Sequence, residues 1–177
     1  MYRDKKVIHI VATGLNGEIG KGNKLLWSIP AELKHFRDST LGNVVLIGRV
    51  TYDSLPNKLD RRVVLRVSGK PSEDSFGYGF KRDFESYLQE AEHISDEILN
   101  TNCIFVAGGS KLYKSTEPYV DEIWKTQIFK TYDDADSFYS VPEGFEVYQQ
   151  SSKVLMQDKI KGFDCGVYVQ FLKFRKV

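Results

Sequence analysis

The chain has 177 residues, 41% of them hydrophobic and 28% charged, enough for one domain with a substantial core and short for two. A net charge of +1 leaves no electrostatic footprint for nucleic acid, and no apolar run is long enough to span a membrane. Cys103 and Cys165 lie far apart, giving neither a disulfide framework nor metal-ligand spacing, and read as buried or idle thiols of a reducing compartment.

The N-terminus, MYRDKKVIHIVATG, has a charged start and a six-residue apolar run, too short for a signal-peptide core. Val7–Ala12 is predicted instead as a buried strand, and a soluble cytoplasmic protein is expected. Gly14–Lys24, with four glycines, predicts a mobile loop. In Leu25–Phe36, LLWSIPAELKHF, a helix should start at Pro30, whose missing N–H costs nothing in a first turn. Ile29, Leu33 and Phe36 share one face of that helix, and Glu32 lies on the same side. Two readings of Glu32 stand open. It leans into water, favoured by the helix dipole, or it stays inward at the floor of a cleft. A desolvated carboxylate there needs a partner, such as a ligand with two adjacent N–H donors.

Val44–Gly48 predicts a second buried strand, with Arg49 at its C-terminal end, either solvated or at the edge where α/β sheets bind ligands. A short helical turn is expected at Thr51–Leu55, ending before Pro56. Arg62–Val67 predicts a third strand and Ser68–Gly79 a loop. Phe84, Tyr87, Leu88 and Ala91 have helical spacing, with Ile94–Leu99 continuing or breaking that helix. Cys103–Ala107 predicts a fourth strand, and GGSKLY opens another helix. Gly-Gly between strand and helix is either a phosphate cradle or a tight turn. Strands at Glu122–Thr126 and Val167–Lys173 close the pattern. Apolar strands alternating with helices imply an α/β domain with a mostly parallel sheet. His9, His35 and His93 have no partners at ligand spacing, so no metal site is assigned.

Taken in order, IHIVATGLNGEIGKGNKLLWSIPAELKHFRDST, VLIGRVTYDSL, VAGGSKLY and DADSFY resemble dihydrofolate reductase, from Tyr2 to the C-terminal strand. The resemblance implies one domain over residues 1–177. Its central, mostly parallel sheet would have about eight strands and an antiparallel C-terminal edge, flanked by about four helices. It implies a monomer that reduces 7,8-dihydrofolate to 5,6,7,8-tetrahydrofolate with NADPH, supporting one-carbon and thymidylate metabolism and inhibited by antifolates. Hydride would pass from the nicotinamide C4 to the pterin C6, with N5 gaining a proton through water.

Glu32 would then hold the pterin's 2-amino group and adjacent ring nitrogen, Trp27 would help fix a water nearby, and Thr126 would brace the acid. Ile10 and Val11 would offer backbone contacts, Leu33 and Phe36 would wall the pocket, and Leu55 and Leu59 would line its outer part. Arg62 would grip the substrate's α-carboxylate with its planar fork. On the cofactor side, the resemblance implies Ala12 beside the nicotinamide, and Arg49, Val50 and Thr51 at the pyrophosphate and ribose phosphate. Ser68, Gly69 and Lys70 would meet the 2′-phosphate. Ala107, Gly108, Gly109, Ser110, Lys111, Leu112 and Tyr113 would complete the set, with a cis bond between the two glycines. The loop Gly14–Leu26, through Ile19, Gly20, Asn23, Lys24 and Leu25, would close over the nicotinamide.

The sequence departs from the family pattern in places. Leu26 stands where Pro is usual, Val50 where a basic residue is commoner, and Ser110 where some members have a third Gly. Gly69 removes a side-chain contact to the 2′-phosphate, and Arg66 interrupts the third strand with its direction open. Two other readings exist. A pyrimidine reductase of riboflavin synthesis shares the fold but lacks the Trp-x-x-Pro-Ala-acid signature. A silent NADPH- or folate-binding module would not need every catalytic position filled.

Overall fold

Strand β1 (Lys6–Thr13) lies at the centre of the sheet, with Val7–Val11 buried along their whole length. A continuous apolar run suits a strand covered on both faces. The computed structural model describes residues 4–68, 83–160 and 165–177. Gly69 and Lys70, with nearly all of the loop expected at Ser68–Gly79, lie outside the described residues.

After β1 come β2 (Glu18–Gly20), α1 (Pro30–Thr40), β3 (Val44–Gly48), α2 (Arg49–Asp53), β4 (Val63–Val67) and α3 (Phe84–Ile94). The second half holds β5 (Cys103–Val106), α4 (Ser110–Thr116), β6 (Glu122–Ile128), β7 (Ser137–Phe138), β8 (Phe145–Gln150), β9 (Val154–Asp158) and β10 (Cys165–Lys176). The main sheet has eight strands in the order β4-β3-β5-β1-β6-β10-β8, with β9 also paired to β10. β4, β3, β5, β1 and β6 run parallel, whereas β10 is antiparallel to β6, β8 and β9. The expected architecture is therefore present: a mostly parallel sheet, an antiparallel C-terminal edge and four α-helices.

Alternation along β1 sorts the core. Val7 and Val11 join Val44, Leu46, Ile104, Val106 and Ile123 under Leu88 and Ala91 of α3 and Leu112 of α4. Ile8 and Ile10 point the other way, with Val45 and Phe105, against Phe36 of α1. A further cluster gathers Leu26, Trp27, Ile29, Ile128, Val167 and Val169.

Several boundaries differ from expectation. The third strand starts at Val63, with Arg62 just before it, and α2 starts at Arg49 rather than Thr51. Ser95–Leu99 continues α3 as a π-helical turn, stopped by Asn100 at φ 51. The Gly-rich segment expected as a mobile loop holds a short strand and a tight hairpin turn: β2 pairs with the distant β7, and Lys21 and Lys24 exchange backbone hydrogen bonds of 2.9 and 3.0 Å. Gly22 and Asn23, at φ 55 and 61, make that turn possible. Arg66 points out of the sheet, with its guanidinium 5.5 Å from the Tyr52 ring centroid and 3.9 Å from Asp53. Cys103 is half-buried and Cys165 exposed, both free. Among the described residues no helix is long and apolar enough to cross a membrane.

Candidate active site

Pro30 starts α1, and the N–H groups of Glu32 and Leu33 both donate to the Ile29 carbonyl. This turn sends Glu32 inward, to 7% exposure, while Leu33 beside it is 50% exposed. The expected apolar face is therefore split. Ile29 packs with Trp27 and Phe36 with Ile10, and Leu33 joins neither cluster. Burial pushes the Glu32 carboxyl up to about 7, and the Thr126 hydroxyl, donating to it, partly offsets that shift. Thr126 on β6 is the register partner of Ala12 on β1. The Tyr113 hydroxyl donates to the Ile10 carbonyl at 2.6 Å, and Tyr113 feels the Glu32 charge. Trp27 Nε1 is buried without a hydrogen-bond partner among the described residues.

Beyond Phe36, the Arg62 side chain is 3% exposed and tightly held. Its Nε donates to the Asp60 carbonyl at 2.9 Å, its Nη2 to the Asp60 carboxylate at 3.3 Å and its Nη1 to Thr40 at 3.3 Å. Its guanidinium lies 5.7 Å from the Phe36 ring centroid. Leu59 packs against the same cluster as Phe36, and Leu55 is half-buried. Asp60 and Thr40, which the sequence reading did not assign, are thus the groups that aim Arg62.

The C-terminal ends of β3 and β5 form a second focus. The Gly48 N–H donates to the Gly108 carbonyl at 2.8 Å, drawing the two strand-to-helix junctions together. The Gly108–Gly109 peptide bond is cis, with Gly108 at φ 101. A Cβ on Gly108 would sit 3.2 Å from the Tyr113 ring, and one on Gly109 3.0 Å from Thr51 Oγ1. Arg49, Val50 and Lys111 are exposed around this junction, and Thr51, Ala107 and Ser110 are half-buried. Leu112 and Tyr113 turn into the core. Ser68 follows β4, its N–H donating to the Tyr87 hydroxyl at 3.3 Å.

The hairpin that follows β2 is tied to the segment around β7. The Gly20 carbonyl accepts from Asp136 N–H at 3.0 Å, Gly22 N–H donates to the Asp136 carboxylate at 3.0 Å, and Tyr139 N–H donates to the Gly17 carbonyl at 2.8 Å. Ile19 packs against the core, and Lys24 and Leu25 are exposed. Leu26, standing where the family usually has Pro, is buried with Trp27 and Ile128. The rigidity of a proline is replaced there by an apolar anchor.

The dihydrofolate reductase family model matches residues 6–171, from the start of β1 into β10. The chain belongs to the dihydrofolate reductase family. It is 33% identical to the dihydrofolate reductase of Haemophilus influenzae over 156 residues, 88% of this chain and 92% of that protein. It is 34% identical to that of Mycoplasma pneumoniae over 127 residues, 70% and 76% of the two chains. A solved structure titled dihydrofolate reductase from Enterococcus faecalis, complexed with NADP(H) and RAB-propyl, shares the fold. Its TM-score is 0.77 at 22% identity, over 98% of this chain and 97% of that one. Glu32, Arg62, Gly108 and Gly109 of this dihydrofolate reductase family member all lie within the matched span.

Proposed function

We propose that this protein reduces 7,8-dihydrofolate to 5,6,7,8-tetrahydrofolate with NADPH, acting as a monomer on small molecules and serving one-carbon metabolism. The observation that carries this reading is Glu32, a buried carboxylate braced by one hydroxyl and, among the described residues, paired with no cation. Such a group calls for a ligand with paired N–H donors, as the 2-amino group and adjacent ring nitrogen of a pterin are. Those donors favour the ionised carboxylate, which orients the ring and polarises it toward protonation at N5. The Trp27 indole N–H, with no acceptor among the described residues, suits a water that relays the proton. Ile10, whose carbonyl is fixed by Tyr113, and Val11 frame the ring, and Arg62, aimed by Asp60 and Thr40, receives the α-carboxylate.

The cofactor junction fits a pyrophosphate, because side chains on Gly108 or Gly109 would fill the space beside Tyr113 and Thr51. Arg49, Thr51, Ser68 and Lys111 would hold the phosphates and ribose. NADPH, when bound, supplies the hydride. The chain's own part is placement and the exclusion of water by the hairpin. A steady-state assay following NADPH absorbance should show saturable, dihydrofolate-dependent turnover. NADPH binding without turnover would instead identify a silent binding module, and no binding of either ligand would overturn the reading altogether.

A further inference from the structure

His9, fully buried on the α3/α4 side of β1, takes no part in the chemistry above. Its Nε2 lies 2.7 Å from Thr116 Oγ1 and its Nδ1 3.0 Å from the Tyr139 hydroxyl. Thr116 Oγ1 also lies 2.8 Å from the Leu112 carbonyl. Thr116 Oγ1 lies 3.1 Å from the Tyr113 carbonyl as well, and the direction of each bond follows the His9 tautomer. With the Thr116 hydroxyl proton on either carbonyl, which can only accept, Thr116 accepts from His9 Nε2–H. Nδ1 then accepts from Tyr139. Burial holds the imidazole down at about 4, so the ring is neutral. In this tautomer one chain runs from the Tyr139 hydroxyl through His9 and Thr116 to the Leu112 and Tyr113 carbonyls.

Its two ends lie on different ligand-facing pieces. Tyr139 follows β7 and is tied to the Gly14–Leu26 hairpin by its N–H bond to the Gly17 carbonyl. Leu112 lies in the first turn of α4, between Gly109 and Tyr113, whose ring packs 5.1 Å from His9 and 4.9 Å from Tyr139.

We infer that His9 is a positioning residue that locks the hairpin to the first turn of α4, so that loop closure and the Tyr113 wall are set together. This rests on the reading of Gly14–Leu26 as the cofactor's lid. Tyr139→Phe removes one hydroxyl, and His9→Leu removes both bonds of the imidazole. Single-turnover hydride transfer should slow about fivefold or more in each, with the dihydrofolate KM within about twofold of wild type. The double variant should be no slower than His9→Leu alone, because both break one chain. His9→Asn, which keeps an acceptor for Tyr139, should restore part of the rate. Amide exchange at residues 17–20 should quicken in the apo variants. Unchanged transfer rates in folded variants, or effects that multiply in the double variant, would overturn the inference. Should His9→Leu fail to fold, Tyr139→Phe carries the test alone. Should the wild type not oxidise NADPH, the functional reading fails while amide exchange still tests the lock.

Discussion

Glu32→Gln keeps the shape of the side chain and removes its charge. If the carboxylate holds the pterin, kcat/KM for dihydrofolate should fall on the order of 10²-fold, about 2.7 kcal/mol, and near-wild-type activity would sink that role. The same residue makes a stability prediction. Its carboxyl moves from 4.5 to about 7 on burial, so between those values the folded protein holds a proton the unfolded chain has lost. Stability contributed by this group is therefore fully present below pH 4.5 and declines as pH rises through 7, by about 3 kcal/mol in all. Urea unfolding of wild type and Glu32→Gln across that window should show the variant gaining relative to wild type as pH rises. Parallel pH curves would contradict it. From the helical wheel alone Glu32 had two directions open, because its brace, Thr126, arrives from β6, far along the chain. His9 was illegible for the same reason, its partners standing 107 and 130 residues away.

At the scale of elements, the two strand-to-helix junctions are the most demanding pieces. Gly108 combines φ 101 with only 3.2 Å of room before Tyr113, whereas Gly109 meets only the rotatable hydroxyl of Thr51 at 3.0 Å. Gly108→Ala should therefore weaken NADPH binding about tenfold or more, the equivalent of ~1–3 kcal/mol of strain. Gly109→Ala should do less harm, and Ser110→Ala least; titration by fluorescence quenching would rank them. Equal affinities in all three would refute the assignment. The buried parallel strands were legible because both faces are covered and their runs are wholly apolar. β8, FEVYQQ, and β9, VLMQD, were not, since they are largely exposed and exist by pairing with the long β10. β2 and β7 are too short to show any periodicity, and their pairing is held by Asp136 and Tyr139 rather than by pattern.

For the molecule as a whole, ligand binding and folding are linked. The exposed cations Arg49 and Lys111, with Ser68, stand at the ends of neighbouring strands or just past them, where a 2′-phosphate would find charge-assisted partners. NADPH at about 100 times its Kd should add about 2.7 kcal/mol, raising Tm by roughly 5–10 °C for a chain of this size. NADH at the same concentration should give a clearly smaller shift, and identical shifts in a thermal melt would refute the phosphate site. The strand order also governs how the chain comes into being on the ribosome. β1 emerges before its neighbours, and among the described strands it pairs with β5 and β6 alone, which begin at Cys103 and Glu122. Through most of synthesis its apolar run has no neighbour, a standing invitation to holding chaperones and to aggregation. A fragment ending at Asn100 should thus stay protease-sensitive and bind hydrophobic dyes, while one reaching past Ile128 should gain protection along β1. Early protection of β1 in the shorter fragment would show that the nascent chain finds another way to cover it.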